Sequence, residues 1–111
     1  MKRKLFQKQE LLEYQEFFLM KENSIIKIVV GKYENEILIK VKNNIAIYKL
    51  YELSKIVKPE FNTIDKSYEN LIDLFEQSKM TINYISHKDI ILRLKKDDKT
   101  ELEFKLMFNK D

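Results

Sequence analysis

The chain has no cysteine, no tryptophan, one glycine (Gly31), one proline (Pro59) and one histidine (His87) in 111 residues. Without cysteine there is no disulfide, no thiolate nucleophile and no Cys-ligated metal site. That lack fits a reducing compartment, read here as cytoplasmic with the nucleus as the alternative. One glycine cannot build a phosphate-cradling loop, which needs at least two. A lone histidine in the polar stretch Ser86-His87-Lys88-Asp89 reads as a turn residue, since a Ser-His-Asp arrangement needs an oriented, sheltered imidazole. Arginine is scarce as well, with Arg3 and Arg93 set against nineteen lysines. Arginine supplies most bidentate guanine contacts, so direct base reading is disfavoured. No apolar run approaches the ~20 residues that span a bilayer. The basic start Met1–Glu10 is not followed by an apolar h-region, so neither a membrane partner nor a secretory signal is expected.

What is present is enough apolar material for one core. The hydrophobic fraction is 44% and the charged fraction 35%, with a net charge of +3. A chain of this length reads as one domain and buries roughly 65% of its unfolded surface. Acidic and basic residues are interleaved along the chain, which is how a solvated surface keeps a small domain dispersed. An N-terminal arm over residues 1–14 and a single globular domain over 15–111 are the expected division.

The apolar pattern has a definite order. Phe17-Phe18-Leu19-Met20 is continuous and aromatic, suited to a buried strand, and Lys21-Glu22-Asn23-Ser24 reads as a turn. Ser24–Tyr33 is rich in Ile and Val; Gly31 within it signals a bulge or a close backbone approach. In Glu36–Lys42 the residues Ile37, Ile39 and Val41 share a face, Asn43-Asn44 suits a tight hairpin, and Ala46, Tyr48 and Leu50 share a face of the next strand. Tyr51–Val57 suits a short helix that must stop before Pro59. Asn62 or Thr63 then caps a strong amphipathic helix, with Ile64, Tyr68, Leu71, Ile72 and Phe75 on one stripe. Three strand-like segments close the chain: Lys79–Ile85, the stretch around Ile90, Leu92 and Leu94, and a last one in which Leu102, Phe104, Leu106 and Phe108 share a face opposite Glu101, Glu103 and Lys105. Hairpin-sized spacings favour antiparallel pairing. The fold class is therefore α+β and β-rich, with about seven antiparallel strands, sandwich-like, and one amphipathic helix or helical hairpin inserted between strands four and five.

No constellation of residues points to catalysis. Asp97-Asp98 reads as a hairpin tip, and Glu69 and Asp73 are like charges one helical turn apart. No catalytic, cofactor-binding or metal-binding residue is assigned, and no enzyme activity is expected. Several strands are apolar on both faces: Ile25 and Val29 oppose Ile26, Ile28 and Val30. The helix is expected to cover part of the second face, and the uncovered remainder is the place for a partner. The residues proposed for such an interface are Phe17, Phe18, Met20, Ile25, Val29 and Ile91. The leading reading is a non-catalytic protein-interaction or scaffold domain, with self-association as one form. Two alternatives stand beside it. Lys40, Lys42 and Lys49 with Tyr33 and Tyr48 suggest a basic, aromatic face for single-stranded nucleic acid, a less favoured reading. The other is a small mobile-element inhibitor or immunity-type protein.

Four strands, a helical excursion at Tyr51–Lys79 and three more strands, spanning Gln15–Phe108, resemble the globular head shared by centriolar cartwheel proteins and the scaffold proteins of DNA end joining. The resemblance implies a small non-catalytic β-sandwich that precedes a coiled-coil stalk. In cartwheel heads an apolar hairpin tip enters a partner pocket. The tips here, Asn43-Asn44, His87-Lys88 and Asp97-Asp98, are polar and depart from that pattern. The stretch Phe61–Ile72 is also similar to one that recurs in uncharacterised proteins of protists with AT-rich genomes, a family that implies no activity.

Overall fold

Period-two alternation and two-residue turns dictate a run of hairpins, and hairpins are what form. A computed structural model describes residues 11–55, 63–86, 88–98 and 101–109. Its strands are β1 (Glu13–Lys21), β2 (Ser24–Lys32), β3 (Glu36–Val41), β4 (Asn44–Lys49), β5 (Lys79–Tyr84), β6 (Ile90–Lys95) and β7 (Glu101–Phe108). Two helices, α1 (Leu50–Leu53) and α2 (Ile64–Gln77), lie between β4 and β5. The seven strands are antiparallel, as the sequence pattern predicts, and form one sheet in the order β1-β2-β3-β4-β7-β6-β5. β1 begins at Glu13, so residues 13 and 14 belong to the sheet and not to an N-terminal arm; residues 1–10 of that expected arm lie outside the described residues. The expectations for His87 and for the chain around Pro59 also fall outside the described residues.

The sheet has a narrow seam. β4 and β7 pair only at Asn44–Phe108 and Ile45–Met107, whereas every other neighbouring pair of strands shares at least five positions. Asn44 clamps this seam. It is buried, and its Nδ2 donates to the carbonyl oxygens of Lys88 and Leu106. Asn44 is thus the first residue of β4 and not part of the turn. The turn is Lys42-Asn43, one residue earlier than the Asn43-Asn44 tip expected from asparagine's tolerance of positive φ. Lys42 takes φ 54° there while Asn43 does not share a positive φ. That sign pattern belongs to a type II′ turn, whose first central position normally holds glycine. A lysine held in that region stores strain of order 1–3 kcal/mol. The β1–β2 turn has the other hairpin signature, with both Glu22 (φ 49°) and Asn23 (φ 65°) positive.

On either side of the seam the two parts of the sheet share one core with α2 between them. Thr63 caps α2 by accepting a hydrogen bond from Lys66 N at 3.1 Å, a contact worth about 1 kcal/mol. The helix buries Tyr68, Leu71 and Phe75 against Ile28, Val30, Ile37, Ile39 and Val41 from one side and Ile82, Leu92, Phe104 and Leu106 from the other. The Phe75 ring lies 5.2 Å from that of Phe17 on β1 and 6.2 Å from that of Phe104 on β7. Lys21 Nζ donates to the Ile82 carbonyl at 2.7 Å, bringing the two edge strands together at one point. Lys32 reaches from β2 to the start of the helix. Its ammonium is 2.7 Å from Asp65 Oδ1, and that hydrogen bond holds its pKa above the ordinary lysine value.

The helix therefore fills the inner face only. The second, outer face of β2–β4 carries a small separate cluster, Tyr33, Leu38 and Ile45 with Leu11 and Ile47 packed on it. This corrects the expectation that the helix covers part of the second face. Leu11 does part of that work at Gly31, where an added Cβ would lie 2.8 Å from a Leu11 methyl carbon. Gly31 is thus a site of close approach and not a bulge, since pairing runs unbroken through it on both sides.

Two outcomes follow from this core. Phe104 is fully buried, and Phe104→Ala should lower the unfolding free energy by about 3–5 kcal/mol in denaturant titration. Burial, reinforced by Glu52 for Tyr48 and by Glu13 for Tyr68, pushes both phenols up to about 12. The unfolded chain ionises its tyrosines near pH 10, so this contribution to stability is intact below pH 10 and is lost as pH climbs from about 10 to 12. Tyrosine absorbance at alkaline pH should show a late-titrating component that Tyr48→Phe reduces.

Candidate interaction surface

Among the described residues, three large apolar side chains on β1 and the start of β2 point outward and are exposed. Lys21 and Ser24 close the β1–β2 hairpin, so Met20 stands directly opposite Ile25 and Phe18 opposite Lys27. Phe18, Met20 and Ile25 are 59%, 71% and 68% exposed, the largest apolar exposure gathered on one hairpin. Beside them, Ile25, Lys27, Val29, Lys40 and Lys42 line a shallow hollow on the outer face of β2 and β3. Glu16 lies 3.2 Å from Lys27 at its border. The surface is an apolar knob with a mainly cationic margin, carried on an edge hairpin.

The six residues proposed from sequence separate into distinct places. Phe18, Met20 and Ile25 come together on the outer face. Val29 shares that face but is buried, and forms the floor of the hollow. Phe17 points to the opposite face and stacks on Phe75 inside the core. Ile91 stands on β6, across the seam from the others, and is half-buried. The alternation of β1 could have separated Phe17 from Phe18. The apolar run 17–20 hid it because both faces of that strand carry large apolar side chains. The register of β2 on β3 places Lys27, Lys40 and Lys42 at the margin, a grouping that no local period in the sequence signals.

The aromatic residues of the nucleic-acid reading are placed otherwise. Tyr33 is buried in the outer cluster, and the Tyr48 ring sits 5.9 Å from that of Phe104. Neither offers a free ring face beside Lys40 or Lys42 for a base to stack on. Among the described residues no group of three or more His, Asp or Glu side chains is placed to hold a metal ion. No helix among them is long and apolar enough to cross a membrane. No protein-family model matches this chain, and comparison with curated proteins and with solved structures yields no match either.

Opposite facings of adjacent phenylalanines give opposite sensitivities. Phe18→Ser should change unfolding free energy by no more than about 0.5 kcal/mol, as an exposed site does. Phe17→Ala should cost about 2 kcal/mol or more by leaving a gap beside Phe75. Paired chemical denaturation curves measure both.

Proposed function

We propose that this domain is a non-catalytic protein-interaction module that docks an acidic, amphipathic segment of another protein on the outer face of the β1–β2 hairpin. The observation that carries the reading is the trio Phe18, Met20 and Ile25, exposed together on two paired strands. Burying such side chains yields roughly 1.5–3 kcal/mol each, enough for a few anchors to dominate an interface. Lys27, Lys40 and Lys42 around the hollow select for carboxylates in the bound segment. The hairpin is also a sheet edge, since β1 pairs only with β2, so an extended segment can add main-chain hydrogen bonds to side-chain anchoring. The order of four strands, helix and three strands is that of the scaffold heads this chain resembles, which lends the scaffold form of the reading support from element order alone.

The test places a photo-crosslinking amino acid at position 18, at position 20 and at Glu69, on the exposed side of α2. Positions 18 and 20 should capture one and the same protein through an acidic, apolar segment. Position 69 should not, and Lys27→Glu with Lys40→Glu should abolish capture. Equal capture from all three positions, or capture indifferent to the charge reversals, would refute the reading. Capture of a second copy of this chain, matched by a dimer in sedimentation, would replace the acidic partner with self-association.

A further inference from the structure

Three chain reversals meet at one end of the fold, and two lysines meet with them. Lys21 Nζ lies 5.1 Å and Lys42 Nζ 5.8 Å from the centre of the Tyr84 ring. Lys42 Nζ also donates to Tyr84 Oη at 3.3 Å, and Lys21 Nζ to the Ile82 carbonyl at 2.7 Å. Lys21, Glu22, Ser24, Ile26, Lys42 and Tyr84 line the cleft between them. An ammonium group has three donors, so each lysine keeps two after these bonds. Neither makes an ion pair among the described residues, whereas Lys27, Lys32 and Arg93 each face at least one carboxylate within 4 Å. Two cations gathered on one phenol repel each other, and an anion between them reverses the sign of that interaction.

Lys42 supplies a second observation. It occupies a turn position suited to glycine, at φ 54°, so the backbone is strained in order to carry a side chain into this cleft. The donor set also indicates the shape of the anion. Two ammonium groups, each with free donors, converge here from different turns, and the three or four terminal oxygens of a phosphate can accept from more directions than the two oxygens of a carboxylate. The hydroxyls of Ser24 and Tyr84 add neutral donors from other directions.

We propose that the cleft formed by Lys21, Ser24, Lys42 and Tyr84 binds a phosphate group, either free phosphate or the phosphate of a small monoester. Glu22 is the one carboxylate on its wall, and its charge opposes the bound anion. This cleft shares Lys42 with the margin of the hollow but contains none of Phe18, Met20 and Ile25, and neither Lys27 nor Lys40 lines it, so the charge reversals that test docking leave it in place.

The experiment is an NMR titration of the whole chain with inorganic phosphate and, separately, with glycerol phosphate, each against chloride at matched ionic strength. Saturable shifts confined to the amides around Lys21, Ser24, Lys42 and Tyr84 are expected. Lys42→Gly should weaken binding by about tenfold or more, the scale of one lost charge-assisted contact, with no fall in Tm because the turn is relieved. Glu22→Gln should tighten it. Tighter binding of glycerol phosphate assigns the site to a monoester, and tighter binding of phosphate assigns it to the free ion; both uphold the proposal. Shifts that never saturate, that spread over the surface lysines or that chloride reproduces would overturn it, as would full affinity in Lys42→Gly.

Discussion

Phe75 is the contact on which the rest of the structure depends. Its ring stands between Phe17 and Phe104, at 5.2 Å and 6.2 Å, and so joins the first strand, the helix and the last strand in one stack. The backbone alone joins the two parts of the sheet weakly, through two paired positions between β4 and β7. Hydrogen bonds at such a seam cannot hold two sheets at a fixed angle. The apolar stripe of α2 does so, because each part of the sheet buries its inner face against the same helix. Asn44 then fixes the seam by satisfying two carbonyls at once, a buried polar group whose bonds are directional where packing is not.

This division of labour explains where the surface is left bare. The inner face is closed by α2, and the near end of the outer face is closed by Leu11 on Gly31 and by the Tyr33, Leu38 and Ile45 cluster. Among the described residues nothing of the kind covers the far end, where the β1–β2 hairpin turns. Phe18, Met20 and Ile25 therefore remain exposed for a structural reason as well as a compositional one. A hairpin at a sheet edge is a place proteins usually protect with charge or a covering segment. Here lysines are present only at the margin.

Much of this was readable in the sequence. The strand–helix–strand order, the stripe from Ile64 to Phe75 and the alternation from Leu102 to Leu106 each follow from one local period, and each is found in place. What escaped was long-range. The continuous apolar run at Phe17 and Phe18 does not say which residue faces in; that depends on the register of β1 with β2 and on what lies beneath. The turn at Lys42-Asn43 falls one residue earlier than asparagine's preference for positive φ predicts, since the strained lysine gives no local signal. The meeting of Lys21, Lys42 and Tyr84 joins residues up to 63 positions apart in the sequence, which no spacing within the chain could reveal.

The central claim is that the inner face of the β1–β2 hairpin packs on the core with Phe75 of the helix while the outer face is open. Hydroxyl-radical footprinting read residue by residue tests it directly, because Phe17 and Phe18 are chemically identical neighbours. The account predicts rapid modification of Phe18 and Met20, markedly slower modification of half-buried Phe17, and strong protection of Phe75 and Phe104. Equal modification of Phe17 and Phe18, or protection of Phe18 with Phe17 exposed, would contradict it.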